Sequence, residues 1–104
     1  LESTYGIINL NFLVGYMEFS TIGCEDSVEE ATTRLQNCDV LIVWGEEDIL
    51  GVITEDHLNK KGTCGEICEL DVLVDPSFEM RAKWNPKFVI TTEDGEPVSI
   101  VNHQ

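Results

Sequence analysis

The chain has few positive charges. Its 104 residues contain 6 lysines and arginines against 20 aspartates and glutamates, which gives a formal net charge of −14. Nucleic acid is held mainly by cations that neutralise its phosphates, so this balance excludes nucleic acid as the main partner. Long apolar runs are also lacking: the best, Val40 to Trp44, is far shorter than the roughly 20 residues of a membrane-spanning helix. We therefore expect no direct membrane insertion.

Signals of secretion and of catalysis are missing as well. No charged segment followed by an apolar segment marks a leader, and because the first residue is Leu1 we expect the chain to be an excerpt of a longer protein. The four cysteines accompany 42% hydrophobic residues, enough for a core, so we expect reduced thiols and a cytoplasmic location. No nucleophile, base and orienting acid stand at a meaningful spacing, and we predict no enzymatic activity.

The residues that are present predict one compact domain of mixed α and β structure. An N-cap candidate followed by acidic residues indicates a helix, and continuous apolar runs rich in β-branched residues indicate buried strands. The predicted elements are a strand from Thr21 to Cys24, a helix from Asp26-Ser27 to Asn37, a strand from Val40 to Trp44, a turn at Gly45 to Asp48, a strand from Ile49 to Thr54, and a short helix from Thr54 to Lys60 that Gly62 ends.

This unit occurs twice in the sequence. A shift of about 50 residues aligns chemically similar residues, and after a two-residue deletion the alignment continues through a second hairpin that turns at Asp94-Gly95. The aligned pairs include Gly15 with Gly65, Met17 with Ile67, Ile22 with Val72, Ser27 with Ser77, Val40 with Phe88, Leu50 with Val98 and Ile53 with Val101. Two copies of one supersecondary unit, each too small to bury its own apolar face, should share one core.

The order of strand, helix, hairpin and short helix resembles the CBS domain, named for cystathionine beta-synthase. The residues that carry the resemblance are Ser27-Val28-Glu29-Glu30-Ala31 and Leu50-Gly51-Val52-Ile53-Thr54, with Val14-Gly15-Tyr16-Met17 similar to the family's lead-in helix. The resemblance implies an α/β (α+β) CBS-pair fold, with two β-α-β-β-α repeats packed through their sheets about a pseudo-twofold axis. The expected division is an N-terminal lead-in at 1–10, repeat one at 11–61, and repeat two at 62–104, cut short at its C-terminal helix.

The resemblance also implies a regulatory module that senses an adenosine-type ligand in a cleft between the repeats. AMP, ATP or S-adenosylmethionine is the implied ligand class, and a homodimer that controls an attached or partner effector domain is the implied assembly. The candidate ligand-binding residues are Ile22, Gly23, Thr54, Asp56, His57, Lys60, Val72 and Asn102.

The chain matches the family's ligand pattern only in part. Gly51 and Thr54 are in place, but His57 occupies the carboxylate position and Asp56 lies one residue early. A neutral imidazole offers one acceptor where a carboxylate offers two oxygens, so two-point ribose binding depends on Asp56. In repeat two the glycine and threonine are replaced by Ser99 and Asn102, and the chain stops at Gln104 before the carboxylate position is reached.

Several charged or aromatic residues have a functional and a structural interpretation. Lys60 and Lys61 either neutralise a phosphate or compensate a helix dipole, and we favour the dipole. His57 is either a pH sensor or a solvated side chain. The acidic turns Glu46-Glu47-Asp48 and Glu93-Asp94 either hold a divalent cation or are simply solvated. We expect Trp44 and Trp84 in the core or a dimer interface rather than as stacking platforms.

Two other functions therefore stay open beside adenosine sensing. One is a ligand-free dimerisation or interaction module whose clefts are closed. The other is a metal-responsive module, because Cys64 and Cys68 lie one helical turn apart and Cys24, Cys38 and His57 are conceivable additional ligands. Their spacing fits no standard zinc module, and we favour buried structural thiols.

Overall fold

A computed structural model describes residues 15–104 of the chain. The predicted lead-in, residues 1–10, and the first four residues of the predicted first repeat lie outside the described residues. The elements are β1 Phe19–Gly23, α1 Val28–Arg34, β2 Val40–Trp44, β3 Ile49–Ile53, a 3-10 helix Glu55–His57, α2 Cys64–Ile67, β4 Val72–Val74, α3 Phe78–Trp84, β5 Phe88–Glu93 and β6 Glu96–Asn102. Strand, helix and hairpin occur in the same order twice.

Each unit forms its own three-stranded sheet, in the orders β1-β2-β3 and β4-β5-β6. In both sheets the first strand pairs parallel to the second and the hairpin strands pair antiparallel. The two hairpins even share an irregularity: a register shift lies between Val43 and Trp44 in one and between Thr91 and Thr92 in the other. These positions are equivalent in the predicted alignment of the second strands, so the structure confirms the internal repeat.

The first sheet lies between two layers, as the continuous apolar run of β2 predicts. Leu41 and Val43 pack in a core with Ala31 of α1 and Ile67 of α2. The alternate residues face the second sheet, where Val40, Ile42 and Val52 form one core with Phe88, Ile90 and Ile100. The repeats thus pack sheet to sheet. The residues from Val40 to Val43 are all fully buried, because both faces of β2 are covered.

The segment before each first strand crosses to the other repeat. Tyr16 forms an antiparallel bridge with Val101 of β6, and Glu69 forms one with Val52 of β3. The second bridge is held by two backbone hydrogen bonds, of 3.0 and 2.7 Å. The lead-in helix predicted across Val14 to Met17 is therefore wrong for its described residues 15–17, because this segment pairs as a strand with β6 instead of coiling on itself.

Several predicted boundaries also change. The first strand begins at Phe19 instead of Thr21, α1 ends at Arg34 before Asn37, and the short helix ends at His57 before Lys60. The alignment of the first strands shifts too. Val72 pairs with Phe88 in the second sheet. Val40 is the residue equivalent to Phe88, and it pairs with Phe19. Phe19 rather than Ile22 therefore corresponds to Val72.

The two units differ in how their main helices are covered. α1 buries Ala31 completely, whereas α3 has no buried residue. Phe78 is 86% exposed and Trp84 64% exposed, so Trp84 is not part of the core. No helix among residues 15–104 is long and apolar enough to cross a membrane.

Candidate functional site

A cleft of about 400 Å³ lies where the two repeats meet at the ends of β3 and β6. The register of the two hairpins makes Ile53 equivalent to Val101, so Thr54 and Asn102 are equivalent residues, and this symmetric pair lines the cleft. We call it the axis cleft. Its lining residues are Met17, Asp39, Thr54, Glu55, Asp56, Phe88 and Asn102. Three of the predicted candidates, Thr54, Asp56 and Asn102, are thus brought together from both repeats.

Thr54 and His57 hold the short helix beside this cleft. The Thr54 hydroxyl accepts from the backbone N–H of Asp56 at 3.3 Å, and the Thr54 N–H donates to Nδ1 of His57 at 2.9 Å. This reciprocal arrangement is a capping box, in which two otherwise unpaired N–H groups find side-chain partners. His57 therefore has a structural role in this conformation and does not line the axis cleft.

The charge of the axis cleft is negative. Asp39, Glu55 and Asp56 line it, and no lysine or arginine is among its described lining residues. The backbone N–H groups of Asp56 and His57 already donate to Thr54 oxygens, so they offer no free cradle for a phosphate. The cleft has carboxylate and amide acceptors together with the apolar side chains of Met17 and Phe88.

The other predicted site residues lie elsewhere. Ile22 is 2% exposed and packs in the core beneath α1. Gly23 lines a separate cleft beside Trp44, where its N–H donates to the Asp26 carboxylate at 2.9 Å. Lys60 lines a cleft near the start of α1. Val72 packs at the edge of the core between the sheets. The eight candidates therefore do not form a single site.

The cysteines of α2 behave as structural thiols in this geometry. The Cys64 thiol is buried and reaches the Ser27 carbonyl at 3.5 Å, while the Cys68 thiol reaches the Gly65 carbonyl at 3.5 Å. Burial raises the pKa of both thiols, which keeps them protonated and less nucleophilic. Within residues 15–104 no group of three or more His, Cys, Asp or Glu side chains is arranged to hold a metal ion.

Glu69 has an electrostatic role at the bridge between the repeats. Its carboxylate accepts from the backbone N–H of Asp71 at 2.9 Å and from the Lys87 ammonium at 3.1 Å. These hydrogen bonds, the backbone one first, hold the pKa of Glu69 below its usual range. Lys87 therefore pairs within repeat two, with the residue whose backbone forms the bridge to β3.

Comparison with solved structures identifies the architecture. Staphylococcus aureus OpuCA matches with a TM-score of 0.59 and 16% sequence identity, over 84% of this chain and 87% of that chain. The CBS domain NE2398 matches with a TM-score of 0.57 and 20% identity, over 83% of this chain and 82% of that chain. GMP reductase from Trypanosoma brucei in complex with guanosine 5'-triphosphate matches with a TM-score of 0.60 and 18% identity, over 86% of this chain but only 27% of the reductase.

The chain has the CBS-pair fold, as its sequence pattern predicted. No protein-family model and no curated protein sequence matches it. The sequence pattern did not identify Met17, Asp39, Glu55 and Phe88 as cleft residues. One signal in the sequence did indicate this cleft. The internal alignment makes Thr54 equivalent to Asn102, and both residues lie where the last strand of their hairpin ends.

Proposed function

We propose that the chain is a regulatory module whose axis cleft binds an adenosine-type ligand without a polyphosphate group, and that binding controls an attached or partner effector domain. The observation that carries this proposal is the convergence of Thr54, Asp56 and Asn102, from both repeats, on one open cleft. A ligand that contacts both repeats binds one arrangement of the repeats more tightly than another. Such a difference in affinity is what a ligand-driven switch requires.

The chemistry of the lining favours a nucleoside. The exposed Asp56 carboxylate accepts hydrogen bonds from ribose hydroxyls, and the Asn102 amide supplies both a donor and an acceptor. Phe88, which is 7% exposed, and Met17 supply apolar surface for a base. The lining is more polar than that of a usual small-molecule pocket, because Asp39, Thr54, Glu55, Asp56 and Asn102 outnumber the two apolar residues.

The charge of the lining selects among adenosine-type ligands. Asp39, Glu55 and Asp56 repel the phosphates of ATP, and AMP carries the same disadvantage to a lesser degree. The sulfonium of S-adenosylmethionine is a cation and is attracted by the same carboxylates. We therefore expect the order of affinity S-adenosylmethionine, adenosine, AMP and ATP, from strongest to weakest.

Isothermal titration calorimetry of the whole chain tests this proposal. S-adenosylmethionine, adenosine, AMP and ATP are the titrants, together with GTP because the GMP reductase structure contains that nucleotide. Asp56→Asn should weaken binding roughly tenfold, because it removes a charged acceptor worth about 1.5 kcal/mol. Glu79→Gln on α3 is the matched control and should leave binding unchanged. Flat titrations with all five compounds would reject the ligand-sensing function.

A specific observation favours the second candidate function, a dimerisation module. The α3 helix presents Phe78 and Trp84 to solvent, with Arg81 and Lys83 in its last turn. The first turn of the equivalent helix, α1, has Glu29 and Glu30, of which Glu30 already pairs with Arg34. Attraction of Arg81 and Lys83 to Glu29 supports pairing of α3 from one copy with α1 of a second copy, which would cover the aromatic side chains.

Sedimentation equilibrium tests this second function. The wild-type chain should form a dimer that Trp84→Ser weakens at least tenfold, because exposed aromatic residues dominate interface energies. Lys83→Glu should weaken it further, and Glu29→Lys in a mixture with Lys83→Glu should restore it by reversing both charges. A monomeric wild-type chain at all concentrations would contradict dimerisation while leaving the ligand proposal intact.

A further inference from the structure

A second cleft lies at the opposite end of the sheets, where both hairpins turn. Its volume is about 410 Å³, and we call it the turn cleft. Its lining residues are Trp44, Glu47, Asp48, Ile49, Val74, Thr92 and Gly95. Trp44 and Ile49 flank the first turn, whereas Thr54 of the axis cleft follows the far end of β3, so the two clefts are separate.

Two of the lining residues occupy the bulged positions that the hairpins share. Trp44 follows the register shift in β2, and Thr92 follows the equivalent shift in β5. A bulge re-aims the side chain that follows it, and here both side chains line the same cleft. Thr92 is further held by Asp75, whose carboxylate accepts from the Thr92 N–H at 2.8 Å and from its hydroxyl. The walls of the turn cleft are therefore fixed by the fold.

The chemistry of these walls suits a cation that also has apolar surface. The face of an indole ring attracts ammonium groups, and Glu47 and Asp48 add two carboxylates to the same lining. Ile49 and Val74 supply aliphatic contacts beside them. No lysine or arginine is among the described lining residues, and the formal net charge of −14 draws cations toward the whole molecule.

A metal ion matches this lining less well. The sequence left open whether the two acidic turns hold a divalent cation or are solvated, and repeat two contributes Val74, Thr92 and Gly95 to the cleft but neither Glu93 nor Asp94. A hard cation is bound by oxygen ligands and waters and gains nothing from the ring of Trp44 or the aliphatic side chains of Ile49 and Val74. An organic ammonium needs only a ring face and a compensating negative charge.

We propose that the turn cleft binds a small organic ammonium ion, whose charged head lies against Trp44 near Glu47 and Asp48 and whose apolar part contacts Ile49 and Val74. This site is separate from the axis cleft, so an organic ammonium ion and a nucleoside would bind the module at different places. Trp44 lines the turn cleft and not the axis cleft, so the fluorescence of Trp44 distinguishes binding at the two sites.

Tryptophan fluorescence of the Trp84→Phe variant tests the proposal, because Trp44 is then the only tryptophan. Tetraethylammonium chloride is the probe, and sodium chloride at equal ionic strength is the reference. We expect a saturable change with tetraethylammonium and none with sodium. Glu47→Gln/Asp48→Asn in the same background should weaken the apparent affinity roughly threefold or more, since it removes both carboxylates that attract the ammonium ion.

The control variant carries the same loss of charge at another place. Glu79→Gln/Asp71→Asn, at two exposed positions outside the turn cleft, should leave the affinity for tetraethylammonium unchanged. An equal loss of affinity in both double variants would show only general attraction to an acidic protein. That result, or a change that never saturates, overturns the proposal.

Discussion

The backbone N–H of Thr54 donates a hydrogen bond to Nδ1 of His57 at 2.9 Å. His57 stands at the position where the family pattern has a ribose-binding carboxylate, yet its imidazole serves the chain's own helix cap. Any ribose contact in this repeat therefore depends on the neighbouring Asp56, which lines the axis cleft. The exposed carboxylate of Asp56 therefore lies one residue before the position that the family pattern gives to it.

The His57 cap predicts a measurable loss of stability. His57→Ala should lower the free energy of unfolding by about 1 kcal/mol, because the Thr54 N–H loses its acceptor. His57→Gln should recover most of the loss, since glutamine is a regular partner in capping boxes. Urea denaturation checks both, and an alanine variant as stable as the wild type would contradict the structural role of His57.

Gly51 allows the repeats to approach each other. A Cβ atom at this position would overlap the carbonyl oxygen of Glu69 and lie 2.9 Å from the Cys68 sulfur. Gly51→Ala should therefore separate Val52 from Glu69 and cost about 1–3 kcal/mol or more. Ser99, the equivalent residue in repeat two by register, supplies the control, because Ser99→Ala adds no atom. Thermal unfolding of the two variants should differ, and equal melting temperatures would contradict the close contact.

The helix caps of the two repeats should respond differently to the same substitution. Ser27 and Ser77 each accept from the third N–H of their helices at 3.1 Å. Ser27→Ala should cost about 1 kcal/mol of global stability, because α1 is anchored by the buried Ala31. Ser77→Ala should instead mainly increase hydrogen exchange within α3, which has no buried residue. Equal global losses would contradict this difference in anchoring.

Glu69 gives the fold a defined pH dependence. Its pKa is lowered by the Asp71 N–H and by Lys87, so the folded state holds the charged form more strongly than the unfolded state does. The resulting stability is present above the usual glutamate pKa of about 4.3 and is lost as the pH falls through the lowered folded value. Urea denaturation from pH 6 to pH 3 should thus show a smaller decrease for Glu69→Gln than for the wild type. Parallel pH curves would contradict the role of these hydrogen bonds.

The strands and their burial were predictable because they depend on local composition. The run from Val40 to Trp44 has no polar position, and a strand of this kind needs cover on both faces, which the structure provides. Ser27 likewise predicted a helix start, because its hydroxyl needs only the nearby Glu30 N–H. Both features follow from neighbours in the sequence.

The crossing segments and the cleft were not predictable in the same way. A strand glycine such as Gly51 permits close approach of another backbone, but only the folded chain identifies that backbone as Glu69, which lies 18 residues away in sequence. The pairing of Tyr16 with Val101 joins opposite ends of the described chain and replaces the predicted helix. His57 lacked the usual capping-box signature of glutamate or glutamine, so its cap was missed.

The axis cleft should bind an adenosine-type ligand, and amide chemical-shift mapping tests this binding most directly. ¹⁵N-labelled chain is titrated with S-adenosylmethionine, and the shifts of every assigned amide are followed. We expect saturable shifts centred on Thr54, Asp56 and Asn102, which line the cleft from both repeats. The Asp56→Asn variant should require a higher ligand concentration for the same shifts. Shifts confined to residues outside the axis cleft, or none at saturating ligand, would contradict the account.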